Sequence, residues 1–148
     1  MSYVQNYHHL VIGTKNHEMV LPVEFEMELY SYIAGYFKNN NCQLLAINGI
    51  PNHIHILVNM NPMLSPALEF GNLKRMTSLW LKENPRFPIF KGWQKEYASF
   101  TVSYSHLTAV RGYIENQKIH HADKGYEEEY QRLILKNGLV YYKPNQKQ

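Results

Sequence analysis

The chain has a single cysteine, Cys42, among its 148 residues. That excludes an internal disulfide and any zinc site built on paired thiolates, and it suits a reducing compartment. There is no apolar run of membrane-spanning length and no signal-peptide pattern at the start. The expectation is a soluble, cytoplasmic protein. A Walker-type Gly-rich loop is also missing, so nothing points to chemistry driven by nucleotide hydrolysis. With no internal repeat, low-complexity tract or convincing linker, the sequence reads as one domain over 1–148, with a loose tail from about 143 to 148. A domain of this size buries roughly 70% of the surface its unfolded chain exposes, enough for an unaided core.

Positive charge is scarce in the first third. Residues 1–50 hold two Lys/Arg against four Glu, whereas residues 51–111 hold seven (Lys74, Arg75, Lys82, Arg86, Lys91, Lys95, Arg111) against three (Glu69, Glu83, Glu96). A basic middle is consistent with a polyanionic substrate. The twelve tyrosines include candidates for stacking on unpaired bases.

Within that basic region, Pro51-Asn52-His53-Ile54-His55-Ile56-Leu57-Val58 is the most informative run. A strand sends alternate side chains to opposite faces, so Ile54, Ile56 and Val58 point into a core while His53 and His55 stand together on the other side. Two neutral imidazoles on one rigid face can share a divalent metal. An isolated His-x-His is equally a pair of surface histidines.

The surrounding pattern predicts a first strand over 7–13, a loop from Thr14 to His17 and an amphipathic helix over 23–38 (Phe25, Leu29, Ile33, Phe37) ended by Asn39-Asn40-Asn41. A second strand over 42–48, a turn through Asn48–Asn52 and the histidine strand to about 60 follow, the two strands pairing as a hairpin. Ser65-Pro66 starts a helix running to about 83, with Leu73, Met76, Leu79 and Trp80 toward the core and Lys74, Arg75 and Lys82 outward. A fourth strand falls within 95–103. Ser105 caps a helix over about 106–119, packed through Leu107, Val110 and Ile114. A last helix over 126–136 carries Glu127-Glu128-Glu129 in its first turn, where acids favour the helix dipole. The order β-α-β-β-α-β fits an α+β fold with a ferredoxin-like (RRM-like) antiparallel sheet, helices on one face and a further C-terminal helix. The histidines then lie on the open face.

The helix over 106–119 holds Tyr113 and Gln117, four apart and on one side. A tyrosine can act as a covalent nucleophile, although a phenol pKa of about 10 calls for help near neutral pH. A glutamine carbonyl can complete a metal site begun by two histidines, and Mg²⁺ or Mn²⁺ accepts oxygen ligands readily. His120 and His121, just beyond, are alternatives to Gln117 as third ligand. Tyr97, Tyr104 and Tyr126 are alternative nucleophiles without a ligand-capable partner four residues on. His8, His17 and His106 read as ordinary surface or packing residues.

Taken together, these segments resemble the HUH single-tyrosine transposases of minimal bacterial insertion sequences. Pro51–Val58 resembles the HUH motif. Tyr113-Ile114-Glu115-Asn116-Gln117 followed by His120-His121 resembles the nucleophile helix. His9-Leu10-Val11 to Thr14-Lys15 is similar to the first strand and basic turn, Leu73-Lys74 and Phe90–Tyr97 to the central block, and Phe100–Ser103 to the strand before the helix. The likeness covers nearly the whole chain. It departs after Thr14-Lys15, where the family pattern has an aromatic and an arginine and this chain has Asn16-His17.

The resemblance implies attack by Tyr113 on a phosphodiester of single-stranded DNA, giving a 5′-phosphotyrosine link and a free 3′-hydroxyl that can later rejoin strands. It implies His53, His55 and Gln117 as ligands of a divalent metal, Mg²⁺ or Mn²⁺. It further implies recognition of a DNA hairpin and a DNA contact at the first basic turn, Lys15; from their charge and position, Lys74, Arg75, Lys82 and Lys91 are further candidate phosphate contacts. Lastly, it implies a homodimer in which the tyrosine helix can serve the partner's histidines. Three other readings stay open on the sequence: a nucleic-acid-binding ferredoxin-like module without chemistry, a metal phosphoesterase that uses water, and a relative that serves the host instead of a mobile element.

Overall fold

Four short segments build the sheet that carries the site. The computed structural model describes residues 2–121 and 125–142, the side chain of His120 excepted; the tail expected over 143–148 lies outside the described residues. The elements are β1 (Tyr7–Gly13), α1 (Glu26–Asn39), β2 (Gln43–Ile50), β3 (His53–Asn59), α2 (Pro66–Glu83), β4 (Ala98–Val102), α3 (Leu107–Glu115), α4 (Gln117–His120) and α5 (Tyr126–Lys136). The strands form one antiparallel sheet in the order β2-β3-β1-β4. That is the ferredoxin-like arrangement which the element order predicts. Among the described residues no helix is long and apolar enough to cross a membrane.

On one face, Leu10 and Ile12 of β1 and Ile54, Ile56 and Val58 of β3 meet Leu29, Ile33 and Phe37 of α1 and Phe70, Leu73 and Leu81 of α2. The Ser65 hydroxyl caps α2 by accepting from the Leu68 N–H at 3.3 Å. The buried side of α2 is Glu69, Phe70, Leu73, Thr77 and Leu81. Met76 and Leu79, expected in the core, are instead 40% and 55% exposed. The stripe through 70, 73, 77 and 81 keeps helical spacing with a threonine in it, and Thr77 satisfies its hydroxyl on the Leu73 carbonyl at 2.7 Å. After α1, Asn41 takes a left-handed conformation (φ 58), which asparagine tolerates, and the Cys42 N–H returns to the Phe37 carbonyl at 2.9 Å.

The turn before the histidine strand is tighter than the sequence suggests. β2 runs on through Gly49 to Ile50, leaving only Pro51-Asn52 between the strands, with Ile50 opposite His53. Gly49 makes this possible, because a Cβ there would lie 2.1 Å from the His53 carbonyl oxygen.

The other face of the sheet is also covered, which corrects the expectation of exposed histidines. Val11, Ala98 and Phe100 pack against Tyr126, Tyr130 and Leu133 of α5. On the β2 side, Arg111 of α3 donates to the Leu45 carbonyl at 2.6 Å, and Asn48 donates to the Glu115 carbonyl at 3.1 Å. The helix expected over 106–119 is broken at Asn116 into α3 and α4, and α3 begins at Leu107 after a 3₁₀ turn over Tyr104–His106, with no cap from Ser105. Of its expected packing residues, Ile114 is fully buried while Leu107 and Val110 are half-buried.

Candidate active site

His53 and His55 lie at the start of β3, opposite Gly13 and Val11 of β1. Both are fully buried, at 0% exposure. The Asn52 amide nitrogen faces the His17 carbonyl at 3.4 Å, which turns its oxygen toward His53 Nδ1 at 2.8 Å. Nδ1 therefore carries the proton, and the lone pair of the neutral ring is on Nε2. His53 is also held flat against Tyr126, with ring centroids 4.1 Å apart and planes at 15°. His55 Nδ1 is 2.8 Å from His9 Nε2.

Glu129 of α5 reaches between the two imidazoles. Its Oε1 lies 3.2 Å from His53 Nε2, 3.3 Å from His55 Nε2 and 2.8 Å from His121 Nε2. Gln117, fully buried, donates its amide N–H to Glu129 Oε2 at 2.9 Å, which leaves its own Oε1 facing His53 Nε2 at 3.0 Å. The Tyr113 hydroxyl donates to the same Oε2, and the Tyr113 and His55 ring centroids are 5.7 Å apart.

Burial lowers His53 to about 4 against the partial pull of Glu129, and burial together with His55 lowers His9 to about 3. Burial alone would raise the Glu129 carboxyl, but the imidazoles of His121, His53 and His55 outweigh it and hold the group well below the usual carboxylate range. Burial, then the hydrogen bond to Glu129 and its charge, raise the Tyr113 phenol, with Gln117 and Arg132 pulling weakly the other way.

This arrangement fits a divalent metal. A neutral His53 presents a lone pair to two further acceptors, the Gln117 carbonyl oxygen and a Glu129 carboxylate oxygen, and acceptors facing acceptors in a buried place need a positive charge between them. Ligand atoms of His53, His55 and Glu129 all lie within 4.8 Å of one another. Two imidazoles, a carboxylate and a carboxamide oxygen form a mixed N/O set suited to a borderline or hard divalent ion.

The structure thus brings together the four residues singled out in the sequence, His53, His55, Tyr113 and Gln117, together with His121, one of the alternative third ligands, and adds Glu129 and His9. Glu129 was expected only to serve the helix dipole. The signal that could have found it is its phase: the buried face of α5 is Tyr126, Glu129, Tyr130 and Leu133, so this carboxylate lies on the apolar stripe, unlike Glu127 and Glu128. The alternative nucleophile Tyr126 is buried, and its hydroxyl has no hydrogen-bond partner among the described residues. Tyr104 is exposed, and Tyr97 packs on Phe70.

The basic candidates divide. Lys15, Lys82 and Lys91 line one surface recess of 520 Å³ together with Lys95 and Trp93. Lys74 is turned inward and donates to the Gln94 and Lys95 carbonyls at 2.7 and 2.6 Å, and Arg75 is bonded to Asn72. These bonds occupy the two cations within their own helix and the adjoining loop.

A four-stranded antiparallel sheet presenting two histidines to a helix-borne tyrosine defines the class. The chain belongs to the IS200-like transposase family, whose model matches residues 2–117. A candidate transposase from Deinococcus radiodurans R1 is 26% identical over 79% of this chain and 95% of its own, with a TM-score of 0.58. A REP-associated tyrosine transposase, solved bound to a REP hairpin, is similar in fold alone, at 11% identity over 95% of this chain and 86% of its own and a TM-score of 0.64. No curated protein matches the chain. Glu129 lies beyond the segment that the family model matches.

Proposed function

We propose that this protein is a divalent-metal-dependent transposase that cleaves and rejoins single-stranded DNA through a covalent bond to Tyr113. One observation carries the reading. The Tyr113 hydroxyl and the Nε2 atoms of His53 and His55 converge on a single buried carboxylate, Glu129, within one chain.

His53, His55, Glu129 and Gln117 would hold the metal. When bound, it supplies Lewis-acid polarisation of the scissile phosphate and charge neutralisation at the leaving oxygen. The chain's own residues set the geometry. With a metal held there, Asn52 Oδ1 and His9 Nε2 would accept from Nδ1 of His53 and His55, keeping both Nε2 lone pairs directed inward. Glu129 Oε2 orients the phenol by accepting its hydrogen bond. The Tyr113 oxygen attacks phosphorus and the bond from phosphorus to the 3′ oxygen breaks. The phenol's proton passes to solvent and the departing oxygen takes one from solvent to become a 3′-hydroxyl, so the step balances in protons. The phosphodiester energy is retained in the phosphotyrosine, so the reverse attack by a 3′-hydroxyl rejoins strands without ATP.

Hairpin DNA as the substrate is supported by the neighbour solved with a REP hairpin, and the recess of Lys15, Lys82, Lys91 and Lys95 offers the cations to hold its backbone. The test is a denaturing gel after incubation of labelled single-stranded DNA with Mg²⁺ or Mn²⁺. The wild type should give a slower, protein-linked band, and Tyr113→Phe should give none. Cleavage without that band would instead indicate a water nucleophile, and binding without cleavage a module without chemistry.

A further inference from the structure

Tyr113 lines a groove of 670 Å³ between β4, α3 and α5. That volume lies within the range of pockets that enclose small organic ligands, about 300–1,000 Å³. Its walls differ in character. Phe100 and Val110 give it apolar lining, beside Tyr113. Arg132 and Lys136, one helical turn apart on α5, supply two cations, and among the described residues no carboxylate lines the groove. The Arg132 guanidinium donates to the Tyr113 oxygen at 3.5 Å.

We infer that this groove seats the DNA strand across the cleavage point, with Arg132 a catalytic residue that grips the scissile phosphate and Lys136 holding a neighbouring phosphate. The inference rests on the proposed attack by Tyr113 and adds to it the path of the substrate. A phosphorus within reach of the phenol oxygen also brings its non-bridging oxygens within reach of a group that already touches that oxygen. A guanidinium offers paired donors matched to two phosphate oxygens. The apolar wall suits the face of a nucleobase, which stacks without regard to sequence. Arg132 and Lys136 are exposed and outside the segment that the family model matches, so α5 gives the site both an acid, through Glu129, and this cationic rim.

Two measurements test the inference separately from the chemistry. The first is fluorescence anisotropy of a labelled oligothymidylate strand with Tyr113→Phe protein in EDTA, where no cleavage occurs. Adding Arg132→Ala should weaken binding about tenfold and flatten the dependence of log affinity on log salt by about 0.7, the value for one lost phosphate contact on a single strand. Arg86→Ala removes an equal charge from an arginine paired with Glu28, and it should leave the slope unchanged. The second is the single-turnover rate of adduct formation in the Tyr113 background. Arg132→Ala should slow it with no change in thermal midpoint, and Arg132→Lys should restore the salt slope but not the rate. An unaltered slope in Arg132→Ala, or an equal loss in Arg86→Ala, overturns the groove assignment. A wild type that forms no adduct defeats the tyrosine mechanism, while the anisotropy still decides whether the groove holds the strand.

Discussion

Glu129 shows how one side chain can organise a site. Its two oxygens meet His53, His55 and His121 on one side and Tyr113 and Gln117 on the other. Replacing Glu129 by Gln keeps the shape and removes the charge. Calorimetric titration with Mn²⁺ should then show a larger loss of affinity than Gln117→Ala, because an anionic ligand contributes more to a cation site than a neutral carbonyl does. The reverse order would make Gln117 the principal third ligand and Glu129 a bystander. Asn52→Ala leaves every ligand in place but removes the acceptor for His53 Nδ1–H. It should lower Mn²⁺ affinity about 10–100-fold, as loss of a partner that fixes a ligand's tautomer does. His53 and His55 were legible in the sequence because a two-residue period on a strand fixes which side chains share a face. Glu129 was not, because Glu127, Glu128 and Glu129 are chemically alike, and only their phase against Tyr126, Tyr130 and Leu133 separates the buried one from the half-buried Glu127 and the exposed Glu128.

At the scale of the element, α2 and the α3–α4 pair show two ways in which periodicity falls short. In α2, Leu73 is fully buried and Leu79 is largely exposed, although the two are the same residue on the same helix. Leu73→Ala should destabilise the protein by about 2–5 kcal/mol, and Leu79→Ala should stay within about 0.5 kcal/mol of wild type. Urea titrations would measure both, and equal losses would contradict the observed helix face. The sequence favours Met76 and Leu79 for the core on hydrophobicity. The structure uses Thr77 there because its hydroxyl is satisfied within the helix and also accepts the Trp93 indole N–H at 2.9 Å. In α3, the four-residue interval from Tyr113 to Gln117 suggests one unbroken helix. The break at Asn116 does not undo the pairing, since both side chains still meet Glu129. No glycine or proline marks the break, so the local sequence carries no clear sign of it.

Over the whole molecule, the sheet is sandwiched between α1 and α2 on one side and α3 to α5 on the other, and the histidine pair and the tyrosine belong to one chain. The family resemblance allows the tyrosine helix to be supplied by a partner subunit. The geometry within the single chain needs no such exchange. Mixing Tyr113→Phe protein with His53→Ala protein should therefore restore no adduct in the gel assay, whereas a shared site would regain activity on mixing. The order of elements along the chain, the hairpin carrying the histidines and the positions of all the main helices except the broken one were determined by the sequence alone, since these depend on local periodicity, caps and turns that neighbouring residues dictate. Tertiary structure decided the rest: that the second face is closed, that His53 and His55 are buried, and that Glu129 joins them. Those outcomes depend on how α5 docks on β1 and β4, a contact between segments far apart in the chain, and periodicity within one segment carries no information about the partner that its apolar face will meet.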